Sequence, residues 1–143
     1  MKQFFETILP FLRDPHNGEP LRLEADKLVC DASSYPVKDG IPRFVPEDDY
    51  VDSFSFEWHT HNQTQLDSFR GGDSSEQQFR QKTGFTPDEL KDKLVLDAGV
   101  GAGRYSDVVS SWGAWVVGVD LSFSVEAAAE NFKDRDNVIV MQA

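Results

Sequence analysis

Two acids stand at the ends of two apolar runs, and a glycine-rich turn follows the first of them. Leu94-Val95-Leu96-Asp97 leads into Ala98-Gly99-Val100-Gly101-Ala102-Gly103, with glycines at alternate positions. About twenty residues on, Trp115-Val116-Val117-Gly118-Val119-Asp120 repeats the pattern of apolar run and terminal acid, and Leu121-Ser122 follow. Positions without a Cβ let the backbone approach a ligand closely. An apolar strand, a glycine turn and a helix start together form a corner that binds nucleotide-type cofactors. An acid at the end of the second strand suits a ribose, whose two hydroxyls can both donate to it. The corner therefore predicts an adenosine-type ligand.

The spacing argues against two common versions of such a corner. A dinucleotide fingerprint, G-x-G-x-x-G, would put its third glycine at position 104, where Arg104 stands. A phosphate loop needs a Lys-Ser or Lys-Thr pair after its last glycine, and none follows. What remains, D-x-G-x-G-x-G, resembles motif I of the class I S-adenosylmethionine (SAM) methyltransferases. SAM has no pyrophosphate to seat on a helix end. It carries a sulfonium and an ammonium beside a carboxylate, and an acid such as Asp97 suits that cationic part. The resemblance implies SAM as cofactor, with Asp97, Gly99, Gly101 and Gly103 lining its methionine and ribose. It implies that Asp120 binds the ribose and that Leu121 completes the site. Methyl transfer then needs mostly positioning and, for some acceptors, a general base; no residue here is singled out as that base. The alternatives are a non-catalytic SAM-binding or adaptor protein and, behind it, an NAD-dependent oxidoreductase.

Composition narrows the partners. Hydrophobic residues make up 39% of the 143 and aromatics 12%, enough for a folded core. The net charge of −11 leaves no basic tract for phosphates, so a nucleic-acid substrate is disfavoured and a small-molecule methyl acceptor is expected. No run approaches the ~18 apolar residues of a membrane span, and the N-terminus lacks a signal-peptide pattern. The one cysteine, Cys30, allows no internal disulfide and points to a reducing cytoplasm.

The elements that must position these residues divide the chain into three parts. Residues 1–46 read as a small β-rich module, with one short helix and apolar pieces at Pro20–Leu23, Lys27–Cys30, Tyr35–Val37 and Ile41–Val45 between turns at Asn17-Gly18 and Asp39-Gly40. Leu28-Val29-Cys30 with Tyr35-Pro36-Val37-Lys38-Asp39-Gly40-Ile41-Pro42 resembles the zinc-ribbon-like module of the tRNA-methyltransferase activator family. That module also occurs ahead of SAM methyltransferase domains. The corresponding ligand positions here are Asp14, Asn17, Cys30 and Ser33, so one thiolate stands where a zinc ribbon with two C-x-x-C pairs has four. No metal is expected. His59, His61 and His16 are read as ordinary surface or packing residues.

Residues 47–92 read as a linker and helical segment. Phe54, Phe56 and Trp58 are expected to pack or to form part of a lid. A helix is expected at Ser75–Thr83, capped by Asp73 or Ser74, and another after Thr86-Pro87-Asp88-Glu89. Residues 93–143 read as the N-terminal half of a SAM-binding domain. Its strands, at Leu94, Trp115 and Val138–Gln142, alternate with helices around Ala102–Trp112 and Ser122–Phe132. The fold class is therefore α/β, a partial Rossmann-like sheet of three parallel strands beside the β-rich module. A full class I sheet has seven strands, so the first strand is expected to show a bare edge. Such an edge invites pairing: the N-terminal module, a domain swap or a second copy could cover it, and a homodimer or other self-association is expected through it.

Overall fold

The structure, a computed structural model, describes residues 3–45 and 66–143. The aromatic segment with Phe54, Phe56 and Trp58, the His59–His61 pair and the expected boundary at 46 lie outside the described residues. The chain begins with helix α1 (Gln3–Ile8) and a 3-10 turn at Leu9–Phe11. Four strands follow, β1 (Arg22–Glu24), β2 (Lys27–Val29), β3 (Ser34–Lys38) and β4 (Ile41–Pro42), in one antiparallel sheet of that order. The fourth strand is shorter than its apolar run. Arg43 N–H still donates to Pro36 O at 2.9 Å, but the next residue turns to a different sheet, where Phe44 N–H donates to Gln142 O at 2.8 Å.

Three helices lead to the second sheet: α2 (Asp67–Arg70), α3 (Ser74–Thr83) and α4 (Pro87–Leu90). Then come β5 (Leu94–Ala98), α5 (Arg104–Ser111), β6 (Trp115–Asp120), α6 (Ser124–Asn131) and β7 (Val138–Gln142). Strands β5, β6 and β7 form a parallel sheet in that order, as the alternation of strands and helices predicts. The result is a mixed α/β fold with one antiparallel and one parallel sheet. No helix among the described residues is long and apolar enough to cross a membrane.

Successive side chains of a strand point to opposite faces, and β7 uses both. Val138 and Val140 pack with Val109, Val116, Val125, Ala128 and Phe132. Ile139 and Met141 pack instead with Phe4, Phe5, Leu28, Tyr35 and Val37 of the N-terminal module. The module also covers the outer edge of β7 through Arg43 and Phe44. The other side of the sheet contrasts with this. β5 has no strand on its outer edge among the described residues, and Leu94 and Leu96 are 61% and 67% exposed.

Three local readings need correction. Helix α5 starts at Arg104 rather than Ala102, because Gly103 before it adopts a left-handed φ of 97°. Helix α6 starts at Ser124 rather than Ser122, because the Ser122 N–H and hydroxyl both turn back to Asp120. Helix α3 starts at Ser74 rather than Ser75, with Asp73 at its N-cap position as expected but making no side-chain capping bond. Asp67 reaches back across Gly71-Gly72, and its carboxylate accepts Ser75 N–H at 2.8 Å and Glu76 N–H at 2.9 Å. Burial raises the Asp67 pKa, but these bonds more than offset it and hold the carboxyl below its ordinary range. Helix α4 starts where Thr86-Pro87 predicts, with the Glu89 carboxylate accepting Thr86 N–H at 2.9 Å.

Candidate functional site

Because β5 and β6 run parallel in direct register, Asp97 and Asp120 lie at the same carboxyl edge of the sheet. The loop between β5 and α5 crosses that edge. Gly99 and Val100 both donate their N–H groups to Val119 O, at 2.8 and 3.0 Å, which folds the loop over the end of β6. Gly101 N–H donates to Asp120 Oδ2 at 2.9 Å. The other oxygen, Oδ1, accepts the Ser122 N–H at 2.9 Å and the Ser122 hydroxyl at 2.7 Å. Burial pushes the Asp120 pKa up, but the bonds from Ser122, Gly101 and Ser124 win and hold it below the usual carboxylate range. Asp120 is thus an anion at neutral pH. Asp97 is set by one bond, its Oδ2 accepting from the Ser106 hydroxyl of α5 at 2.6 Å.

Ala98, Gly99 and Leu121 are exposed around this loop, while Asp97, Gly101 and Asp120 are half-buried. Five of the residues that the sequence singled out, Asp97, Gly99, Gly101, Asp120 and Leu121, therefore stand together at one open corner. Gly103, the sixth, has a different role in the packing. A Cβ on Gly103 would lie 2.3 Å from the ring of Phe132, which is itself almost wholly buried. Its missing side chain makes room for that ring.

Gly118 acts in the same way inside β6, where a Cβ would come within 2.8 Å of Val100 Cγ2. Gly118 has no role in the sequence reading, although a glycine within an apolar strand is the signal that marks such a close approach. Ser106 and Ser122, which anchor the two acids, carry no comparable signal. They also limit the chemistry. A carboxylate offers about four lone-pair positions, and Gly101, Ser122 and Ser124 already donate to Asp120. A ligand diol must displace the Ser122 hydroxyl, which has the Ser124 hydroxyl 2.7 Å away as another partner.

The positions compared with zinc ligands form a second cluster around a buried acid. Asp14, 2% exposed, accepts the His16 and Asn17 N–H groups on Oδ1 at 2.7 and 3.1 Å. Its Oδ2 accepts from the Tyr35 hydroxyl at 3.0 Å and from Cys30 Sγ at 3.4 Å. Burial raises the Asp14 pKa, yet Ser33, His16, Tyr35 and Cys30 together hold the carboxyl far below its ordinary range. The Asn17 side chain turns away to Glu19. Among the described residues no group of three or more His, Cys, Asp or Glu side chains is placed to hold a metal ion.

No family model matches this sequence, and the search of curated proteins returned no match. Among solved structures, the chain is similar to phosphoethanolamine N-methyltransferase 1 of Haemonchus contortus, determined with phosphoethanolamine and S-adenosylhomocysteine. The identity is 21% and the TM-score 0.42, over 64% of this chain. The match spans 21% of that enzyme's length.

Proposed function

We propose that this chain forms the cofactor-binding part of a SAM-dependent methyltransferase acting on a small-molecule acceptor. The observation that carries the reading is the Asp120 carboxylate at the carboxyl end of β6, bonded to Gly101 N–H beside the exposed Gly99 and Leu121. Asp120 would take the ribose hydroxyls, Asp97 the cationic methionyl part, and the Gly99–Gly103 backbone would lie against the ligand. Leu121 offers apolar surface next to them. When bound, SAM supplies a methyl group on a sulfonium centre. The residues of this chain bind and orient it, and we assign none of them as a catalytic base.

Calorimetric titration with SAM and S-adenosylhomocysteine tests the reading. Saturable binding is expected in the native sequence, with loss of at least about a hundredfold in affinity in Asp120→Ala, on the order of two hydrogen bonds to a charged group. A folded protein that binds neither compound overturns the proposal. Binding of NAD in their place would move the chain to the oxidoreductase reading, against Arg104 in the third-glycine position. Binding without methyl transfer by any longer form of the protein would favour the adaptor reading.

We further propose that the edge of β5 pairs with a second copy of the chain. What supports this is the run of outward N–H and C=O groups on β5 beside exposed Leu94 and Leu96, continued by Trp115 and by Phe11. Light scattering at tens of micromolar is expected to give a dimer, and Leu96→Lys a monomer. A monomeric native protein refutes it.

A further inference from the structure

The N-terminal module reaches the candidate site through one buried cation. Arg43 is 7% exposed and stands where the chain passes from the antiparallel sheet to the edge of β7. Its guanidinium has two arms. Nη1 donates to Gln142 Oε1 at 3.1 Å, and the other end of that amide, Gln142 Nε2, donates to Leu121 O at 2.9 Å. Nη2 pairs with Glu126 Oε1 at 3.2 Å, in the first turn of α6. Between Leu121 and that turn lies only the loop that follows Asp120. One side chain from the module therefore holds both ends of the loop whose Ser122 orients the Asp120 carboxylate.

We infer that Arg43, acting through Gln142 and Glu126, is a positioning residue for the Asp120 loop, so that docking of the module sets the shape of the cofactor site. The inference rests on the cofactor reading above for its functional consequence, but its geometric content stands apart from that reading. Arginine is suited to the task, because its planar fork serves two acceptors at once where an ammonium is a single point charge. The Gln142 amide can relay only in the orientation given, accepting from Arg43 and donating to Leu121.

Two readouts separate this from a merely structural contact. In ligand-free protein, Arg43→Met should raise hydrogen exchange at Ser122 and Ser124 by about tenfold or more, the equivalent of one lost hydrogen bond. Exchange at Cys30 and Val37, inside the module, should stay as it was. Gln142→Leu keeps the Arg43–Glu126 pair and so covers the case in which Arg43→Met does not fold; it should give a smaller rise at the same amides. Arg43→Lys should not restore protection. In titrations with S-adenosylhomocysteine, Arg43→Met should bind roughly tenfold more weakly and Gln142→Leu should lose less, and combining the two should add little, because Arg43→Met already cuts the relay through Gln142. Unchanged exchange at Ser122 in folded variants overturns the inference, and so does raised exchange with unaltered affinity. If the native protein binds no S-adenosylhomocysteine, the functional reading fails, and the exchange data alone decide whether Arg43 holds the loop.

Discussion

Asp14 and Asp120 are both carboxylates that gather a loop, yet one closes its surroundings and the other leaves them open. Each accepts backbone N–H groups and a hydroxyl, and each is held below the ordinary carboxylate pKa against the effect of burial. The difference lies in what surrounds them. Asp14 is capped by Tyr35 of β3 and by Cys30 just after β2, both in its own module, and is 2% exposed. Asp120 borders exposed Gly99 and Leu121, and its hydroxyl partner can turn to another serine. The same chemical group is a structural hub where its bonds are buried and a candidate binding group where one of them is replaceable.

The largest effect should come from exchanging the carboxylate on the closed side. Asp14→Asn replaces an acceptor for several donors with an amide that cannot serve them all, and buried donors left unmatched are costly. Thermal denaturation should show a loss of several degrees more than for Asp120→Asn, while S-adenosylhomocysteine affinity of the folded fraction stays the same. The opposite ranking would erase the distinction between hub and site. Gly103→Ala strikes the framework of the open side, by combining left-handed backbone strain with a clash against Phe132. It should cost about 2–4 kcal/mol in chemical denaturation, and a companion Phe132→Leu should recover part of that.

Acid separates the two sites by degree. Both folded pKa values lie below an unfolded value of about 3.9, so each group contributes stability that is complete above that pH. The contribution fades as pH falls toward the folded pKa. Stability should therefore decline below about pH 4, and Asp14→Asn should flatten that decline more than Asp120→Asn does. The smallest effect belongs to Ser122→Ala. It frees a lone pair on Asp120 that a ribose needs, but removes a bond that orients the carboxylate. Calorimetry should find affinity altered by no more than about threefold. A loss as large as that of Asp120→Ala would make Ser122 part of the binding set.

The elements that carry the candidate site were legible because their signals are local. Apolar runs ending in Asp97 and Asp120, the glycine turn and the Thr86-Pro87 start each state their role within a few residues. The partners of those residues were not legible. Asp73 holds the N-cap position of α3, but the carboxylate that accepts its first N–H groups is that of Asp67, eight residues before the Ser75 it serves, and nothing in the immediate neighbourhood marks it. Arg43 meets Gln142 across 99 positions, a distance at which spacing conveys nothing. Asp14 was marked by its place in a ligand pattern, but its bond to Tyr35 depends on the pairing of strands. Covalent neighbourhood predicts secondary structure and turns, whereas hydrogen-bond partners are set by which surfaces meet.

The double duty of β7 bears on how the chain is made. The module leaves the ribosome before β7, and Ile139 and Met141, which complete its core, follow more than a hundred residues later. At ~5–20 residues per second, Phe4, Phe5 and Leu28 wait roughly 6–27 s for that strand. Through this interval the nascent chain holds two unfinished apolar surfaces, and one five-residue strand closes both.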